Sequence, residues 1–151
     1  MKPRAFTILM AEDDDEGRRL AHEAVQEGKL GHELRFVVNG EELLDYLRHR
    51  NRYAESEAAP RPGLILLDLN MPRLDGREAL AEIKRDPELR QIPVVVLTSS
   101  RADEDVFRSY DLGVNSYIIK PMTFDELVDL LRTLGKYWFE LVELPPEPSR
   151  N

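Results

Sequence analysis

Five side chains in this chain could do chemistry together: Glu12, Asp13, Asp68, Thr98 and Lys120. Each ends or directly follows a short apolar, β-branched run, where a strand would stop. Carboxylates brought that close repel unless a cation holds them. Hard oxygen ligands with open positions favour Mg²⁺, which keeps several waters and takes one or two carboxylates plus phosphate oxygens. A carboxylate can also act as a nucleophile and form an aspartyl phosphate. Phosphoryl transfer then needs little beyond positioning and charge neutralisation. Mg²⁺ and Lys120 would supply the charge, and the Thr98 hydroxyl could donate to a phosphoryl oxygen.

Singly, these residues carry little. An acidic run is usually a solvated face, and Asp14, Asp15 and Glu16 read as the first turn of a helix, where the dipole favours them. Asp75 reads as an N-cap. The three histidines, His22, His32 and His49, fall away from the strand ends. It is the joint placement of all five residues that points to a site.

The elements that must position them follow from periodicity. Strands are expected at Phe6–Ala11, Leu34–Val38, Leu64–Asp68, Ile92–Thr98 and Asn115–Ile119. The third and fourth are apolar throughout, as strands covered on both faces should be. Helical stripes lie between them: Leu20, Ala24 and Val25; Leu43, Leu44 and Leu47; Ala79, Leu80 and Ile83; Val106, Phe107 and Tyr110. A last stripe runs through Phe124, Leu127, Leu131, Leu134 and Trp138. Asp75-Gly76 should open the third helix and Asp86-Pro87 close it, with Thr123 as N-cap of the last and Glu126 at the capping-box position. The expectation is an α/β fold: a doubly wound, five-stranded parallel sheet, (βα)₅ and flavodoxin-like, of order 2-1-3-4-5. Ligands in such folds bind beyond the carboxyl ends of the strands, at the switch point between strands one and three. Asn51–Gly63 reads as a long, exposed, mobile connection.

Length and composition bound the alternatives. At 151 residues one compact domain with a short appendage is favoured, able to bury roughly two thirds of its unfolded surface. The absence of cysteine excludes a disulfide framework and a thiolate metal site. A net charge of −8 with scattered basic residues argues against nucleic-acid binding. The apolar stretch near the start is too short for a signal-peptide core or a membrane span, so the expectation is a cytoplasmic protein with no membrane partner.

Four ordered motifs carry a family resemblance: ILMAEDD, LILLDLNMPRLDG, VVVLTSS and YIIKPM. Over about residues 5 to 135 the chain closely resembles the receiver domain of two-component response regulators. The resemblance implies Asp68 as phosphoacceptor and Mg²⁺ as the metal. Asp13 would be its direct ligand, Glu12 would act through water, and Asp68 and the backbone carbonyl of Asn70 would complete the set. Thr98 and Lys120 would contact the phosphoryl group, and Tyr117 would take the aromatic switch position, turning inward with Thr98 on phosphorylation. Glu12-Asp13 stands where many receivers have two aspartates, a mild departure. The only catalysis implied is Mg²⁺-dependent self-phosphorylation and self-dephosphorylation, not an independent enzyme activity.

Residues 1–135 are thus expected to form the receiver and 136–151 a C-terminal extension, an apolar cluster followed by a Pro-rich tail. No effector module is expected, so output would come from binding a partner or passing the phosphoryl group to a downstream phosphotransfer protein. The long loop before strand three, DGREALAEIKRDPEL and YWFELVELPPEPS are similar to small receivers partnered with phytochrome-type photoreceptor histidine kinases. Tyr137, Trp138, Phe139, Leu141, Val142 and Leu144 have two readings, an extension of the last helix packed on its own domain or a homodimer contact. The dimer is the expectation, because these residues cannot all share one helical stripe. A constitutive interaction module on a receiver scaffold is the alternative function.

Overall fold

The computed structural model describes residues 7–27, 33–55, 59–68, 76–98, 116–119 and 123–136. Five strands pair in parallel in the order β2-β1-β3-β4-β5: β1 (Thr7–Ala11), β2 (Glu33–Val37), β3 (Leu64–Asp68), β4 (Val94–Thr98) and β5 (Ser116–Ile119). This is the order expected from the sequence. One strand starts later than its apolar run suggests, and the reason is chemical. Pro93 has no N–H to give the ladder, so β4 opens at Val94, while the Pro93 carbonyl still accepts from Ile65 N at 3.0 Å.

The helices are α1 (Asp15–Glu27), α2 (Gly40–Leu47), α3 (Gly76–Arg85) and α4 (Phe124–Lys136). Side-chain caps fix three starts: Asp14 Oδ2 accepts from Gly17 N, Asn39 Oδ1 from Glu42 N, and Thr123 Oγ1 from Glu126 N. Helix α3 ends where Pro87 disfavours a helical Asp86. The expected stripe of Val106, Phe107 and Tyr110 lies outside the described residues.

Alternation along the strands divides the core in two. Ile8, Met10, Leu64, Leu66, Val95 and Leu97 face α1 and α4, whose Ala21, Ala24, Val25, Val128, Leu131 and Leu134 cover them. Leu9, Ala11, Ile65, Leu67, Val94 and Val96 face α2 and α3. All five residues of β3 are buried, including the carboxylate at its end. A slip of this strand toward the core would draw the Asp68 carboxylate between two apolar layers, so its place at the strand end is specified by the cost of burying that charge. Among the described residues no helix is long and apolar enough to cross a membrane.

The connection from α2 to β3 departs from expectation. Its polar composition suggests an exposed segment, yet Tyr53 and Ala59 are buried in the core beside α2. The backbone is left-handed at His49 and again at Asn51, where a 3₁₀ turn, Asn51–Tyr53, opens (φ 53° and 56°), and this swings the chain back onto the domain. Tyr53 then donates to Glu42 Oε1 at 2.6 Å, and its ring stands 5.1 Å from that of Tyr46 at a tilt of 59°. Tyr46 donates to the Pro60 carbonyl at 2.8 Å, while Arg61 Nη2 donates to the Glu88 carbonyl at 2.7 Å. Two aromatic anchors and backbone acceptors thus hold the described parts of this connection down.

Burial raises the Tyr46 phenol from 10.0 to about 12. Between those values the unfolded chain gives up this proton and the folded one keeps it, so stability falls as pH rises through that window. Replacing Tyr46 with Phe should cost about 1 kcal/mol at neutral pH through the lost hydrogen bond. The same variant should decline less steeply on the alkaline side, so that urea denaturation at neutral pH and near pH 11 shows the gap to wild type narrowing.

Candidate functional site

The sheet brings three of the sequence-nominated carboxylates together. Glu12 N donates to the Val37 carbonyl at 2.9 Å, which carries the β1–β2 ladder one residue past the strand. Glu12 therefore keeps the alternation of Ile8 and Met10, and its side chain enters the α1 side of the sheet, fully buried at 0% exposure. Asp13, one residue on, is exposed. Asp68 closes β3 at 7% exposure, its backbone in register with Leu97. One carboxylate oxygen from each of Glu12, Asp13 and Asp68 lies within 4.8 Å of the other two.

Burial decides which part of this cluster is costly. Two ionised carboxylates at 4.8 Å repel by about 3.5 kcal/mol at an effective dielectric of ~20, and Glu12 and Asp68 are both buried. Such a pair needs a cation nearby, whether a bound ion or a side chain. The donor set is oxygen only, without nitrogen or sulfur, which suits a hard divalent cation of the Mg²⁺ or Mn²⁺ kind. Asp13, facing solvent, is the group a hydrated ion would meet first.

Thr98 closes β4 opposite Ile119, the residue before Lys120, and Tyr117 sits in β5 opposite Val96. The backbone thus sets Thr98 at the same end of the sheet as Asp68. The side chains of Thr98 and Tyr117 lie outside the described residues, as do Lys120 and Asn70 altogether. Two of the histidines, His22 and His49, are exposed and take no part in the cluster, and His32 lies outside the described residues.

Two neighbours of the site had no evident signal in the sequence. Arg18 Nη1 donates to the Glu12 carbonyl at 2.8 Å, and the same guanidinium pairs with Asp15, so the first turn of α1 is tied to the end of β1. Gly17 lies directly against the Glu12 carboxylate: a Cβ at that position would stand 2.7 Å from Oε1. An arginine six residues after an acid reads as an ordinary surface charge, and the contact exists only because α1 folds back over β1.

Comparison with known proteins matches residues 8–132 to the response regulator receiver domain. The chain belongs to the response regulator receiver family. This receiver is 43% identical over 138 residues to response regulator Rcp1 of Synechocystis sp., a match spanning 91% of the chain and 92% of Rcp1. Among solved structures it resembles the phosphorylated cyanobacterial phytochrome response regulator RcpA, with a TM-score of 0.86 and 43% identity over 95% of this chain and all of that one, 100%. It also resembles the Mn²⁺-bound form of Rcp1, with a TM-score of 0.82 and 42% identity over 93% and 99% of the two chains. The fold expected from the alternation of strands and helices is the one found.

A receiver built this way should be stabilised by divalent cations through mass action, by about 2.7 kcal/mol when the free ion is at 100 times its Kd. Asp13→Asn should abolish that gain in a thermal melt with added Mg²⁺. Without metal the variant should be no less stable than wild type, since one of three crowded charges is gone.

Proposed function

We propose that this response regulator accepts a phosphoryl group on Asp68 from a histidine kinase, with Mg²⁺ as the divalent ion. The observation that carries the reading is the burial of Asp68 at the end of β3 beside Glu12 and Asp13. A carboxylate held there is fixed at the strand end and largely shielded from bulk water, which favours its use as a nucleophile. In the transfer, an Asp68 carboxylate oxygen forms a bond to phosphorus as the bond from phosphorus to the kinase imidazole nitrogen breaks. The imidazole regains a proton as it leaves. The ion, when bound, offsets charge that develops on the phosphoryl oxygens.

Asp13 would hold the ion directly. Glu12 would orient it through water, and the Asn70 carbonyl would fill a further position. The hydroxyl of Thr98 and the ammonium of Lys120 would take the remaining phosphoryl oxygens, the arrangement that the receiver motifs imply. Tyr117 would then turn inward and alter the face around β5. No independent enzymatic activity is assigned beyond self-phosphorylation and self-dephosphorylation.

A phytochrome-type photoreceptor kinase is the proposed donor, since the phosphorylated relative RcpA is a phytochrome response regulator. Output would follow from a homodimer contact through Tyr137, Trp138 and Phe139 or from transfer to a downstream phosphotransfer protein. A cytoplasmic location accords with such a kinase partner.

Incubation with acetyl phosphate and Mg²⁺ should add one phosphate per chain by intact mass. Chelation with EDTA should prevent it, and Asp68→Asn should not be labelled. Labelling of Asp68→Asn to the wild-type level would overturn the assignment. If sedimentation shows the same assembly with and without beryllofluoride, a constitutive interaction module becomes the better reading.

A further inference from the structure

Gly17 occupies a position that helix chemistry alone does not explain. It is the third residue of α1, its N–H bonded to the capping Asp14 carboxylate at 3.2 Å. Its backbone is not in the left-handed region, so the conformation itself would accept any side chain. Glycine is among the poorest helix formers, and exchanging it for alanine at a compatible site ordinarily stabilises a protein by restricting the unfolded chain. Something other than the backbone must favour glycine here.

The contact with Glu12 supplies the reason. A Cβ on residue 17 would lie 2.7 Å from Glu12 Oε1, 3.1 Å from Cδ and 3.3 Å from Cγ. The first of these is a distance that real Cβ atoms essentially never show. The flexible partner would have to give way, and in this case that partner is one of the three clustered carboxylates. Glu12 is also 0% exposed, so the displaced carboxylate has no solvent to swing into and must shift within the site. The backbone on either side is pinned, by Glu12 N to the Val37 carbonyl and by Arg18 Nη1 to the Glu12 carbonyl, so relief by sliding α1 away from β1 would break one of these bonds.

We propose that Gly17 is a positioning residue for the metal site: its missing side chain is the space that seats the long Glu12 carboxylate at the divalent cation. Glutamate at position 12 and glycine at position 17 act as a matched pair. An aspartate at 12, one methylene shorter, would not need that space. This inference rests on the reading of Glu12, Asp13 and Asp68 as a divalent-cation site, and its test separates the two.

The experiment titrates Mg²⁺ by calorimetry, and Mn²⁺ by the loss of its free-ion electron-spin-resonance signal, into wild type, Gly17→Ala and Gly17→Ala with Glu12→Asp. Thermal melts of the metal-free proteins accompany the titrations. Gly17→Ala should weaken cation binding about tenfold, as displacement of a group that orients a metal does. Glu12→Asp, which removes the 2.7 Å contact, should recover most of the lost affinity and any metal-free melting temperature lost with it. An affinity within about twofold of wild type would overturn the pairing, since misplaced metal-orienting groups cost more than that. A loss of affinity that Glu12→Asp leaves uncorrected, together with a lowered metal-free melting temperature, would assign Gly17 to packing and also overturn it. Absence of saturable binding to wild type would instead sink the metal-site reading beneath it.

Discussion

The repulsion between the buried carboxylates at the ends of β1 and β3 is the constraint around which this receiver is arranged. Nothing in a hydrophobic core favours placing Glu12 and Asp68 within 4.8 Å of one another, and burial makes the contact harder to tolerate. The sheet enforces it all the same. Four β3 residues are locked between two apolar layers, and β1 is locked beside them, so the ends of both strands are fixed by packing far larger than the local repulsion. The result is a preorganised demand for positive charge at one spot. A divalent cation satisfies it, and an incoming phosphoryl group brings the negative oxygens that such a cation neutralises.

The surroundings of the cluster differ in how tightly they are held. Glu12 is buried, tied through its own N–H and carbonyl to β2 and α1, whereas Asp13 stands exposed at the point of entry. That division suits a site in which one acid orients and another exchanges with solvent. On the opposite layer, Tyr46 and Tyr53 hold the connection into β3, so the strand that delivers Asp68 is anchored at its start as well as along its length.

Much of this was legible in the sequence because it is governed by short-range rules. LILLD announces a doubly covered strand ending in an acid, and the run of strand ends places Glu12, Asp13 and Asp68 on one edge before any coordinate is known. Thr123 and Asp86-Pro87 mark helix ends through their own chemistry. What could not be read depends on contacts between distant segments. The connection before β3 is polar in composition, and only the fold shows that Tyr53 and Ala59 turn inward to complete the α2 layer. Gly17 looks like a minor flaw in a helix until α1 is seen lying on the Glu12 carboxylate. β4 begins at Val94 because Pro93 cannot donate, a detail that an apolar run conceals.

In the proposed function Asp68, and not another acid of the crowded edge, becomes the acyl phosphate. Borohydride reduction tests it most directly, since it converts an aspartyl phosphate to homoserine and leaves free carboxylates untouched. Peptide mass spectrometry after phosphorylation with Mg²⁺ and reduction should find homoserine at position 68. Homoserine at another position, or none in a preparation that carries phosphate, would contradict the account.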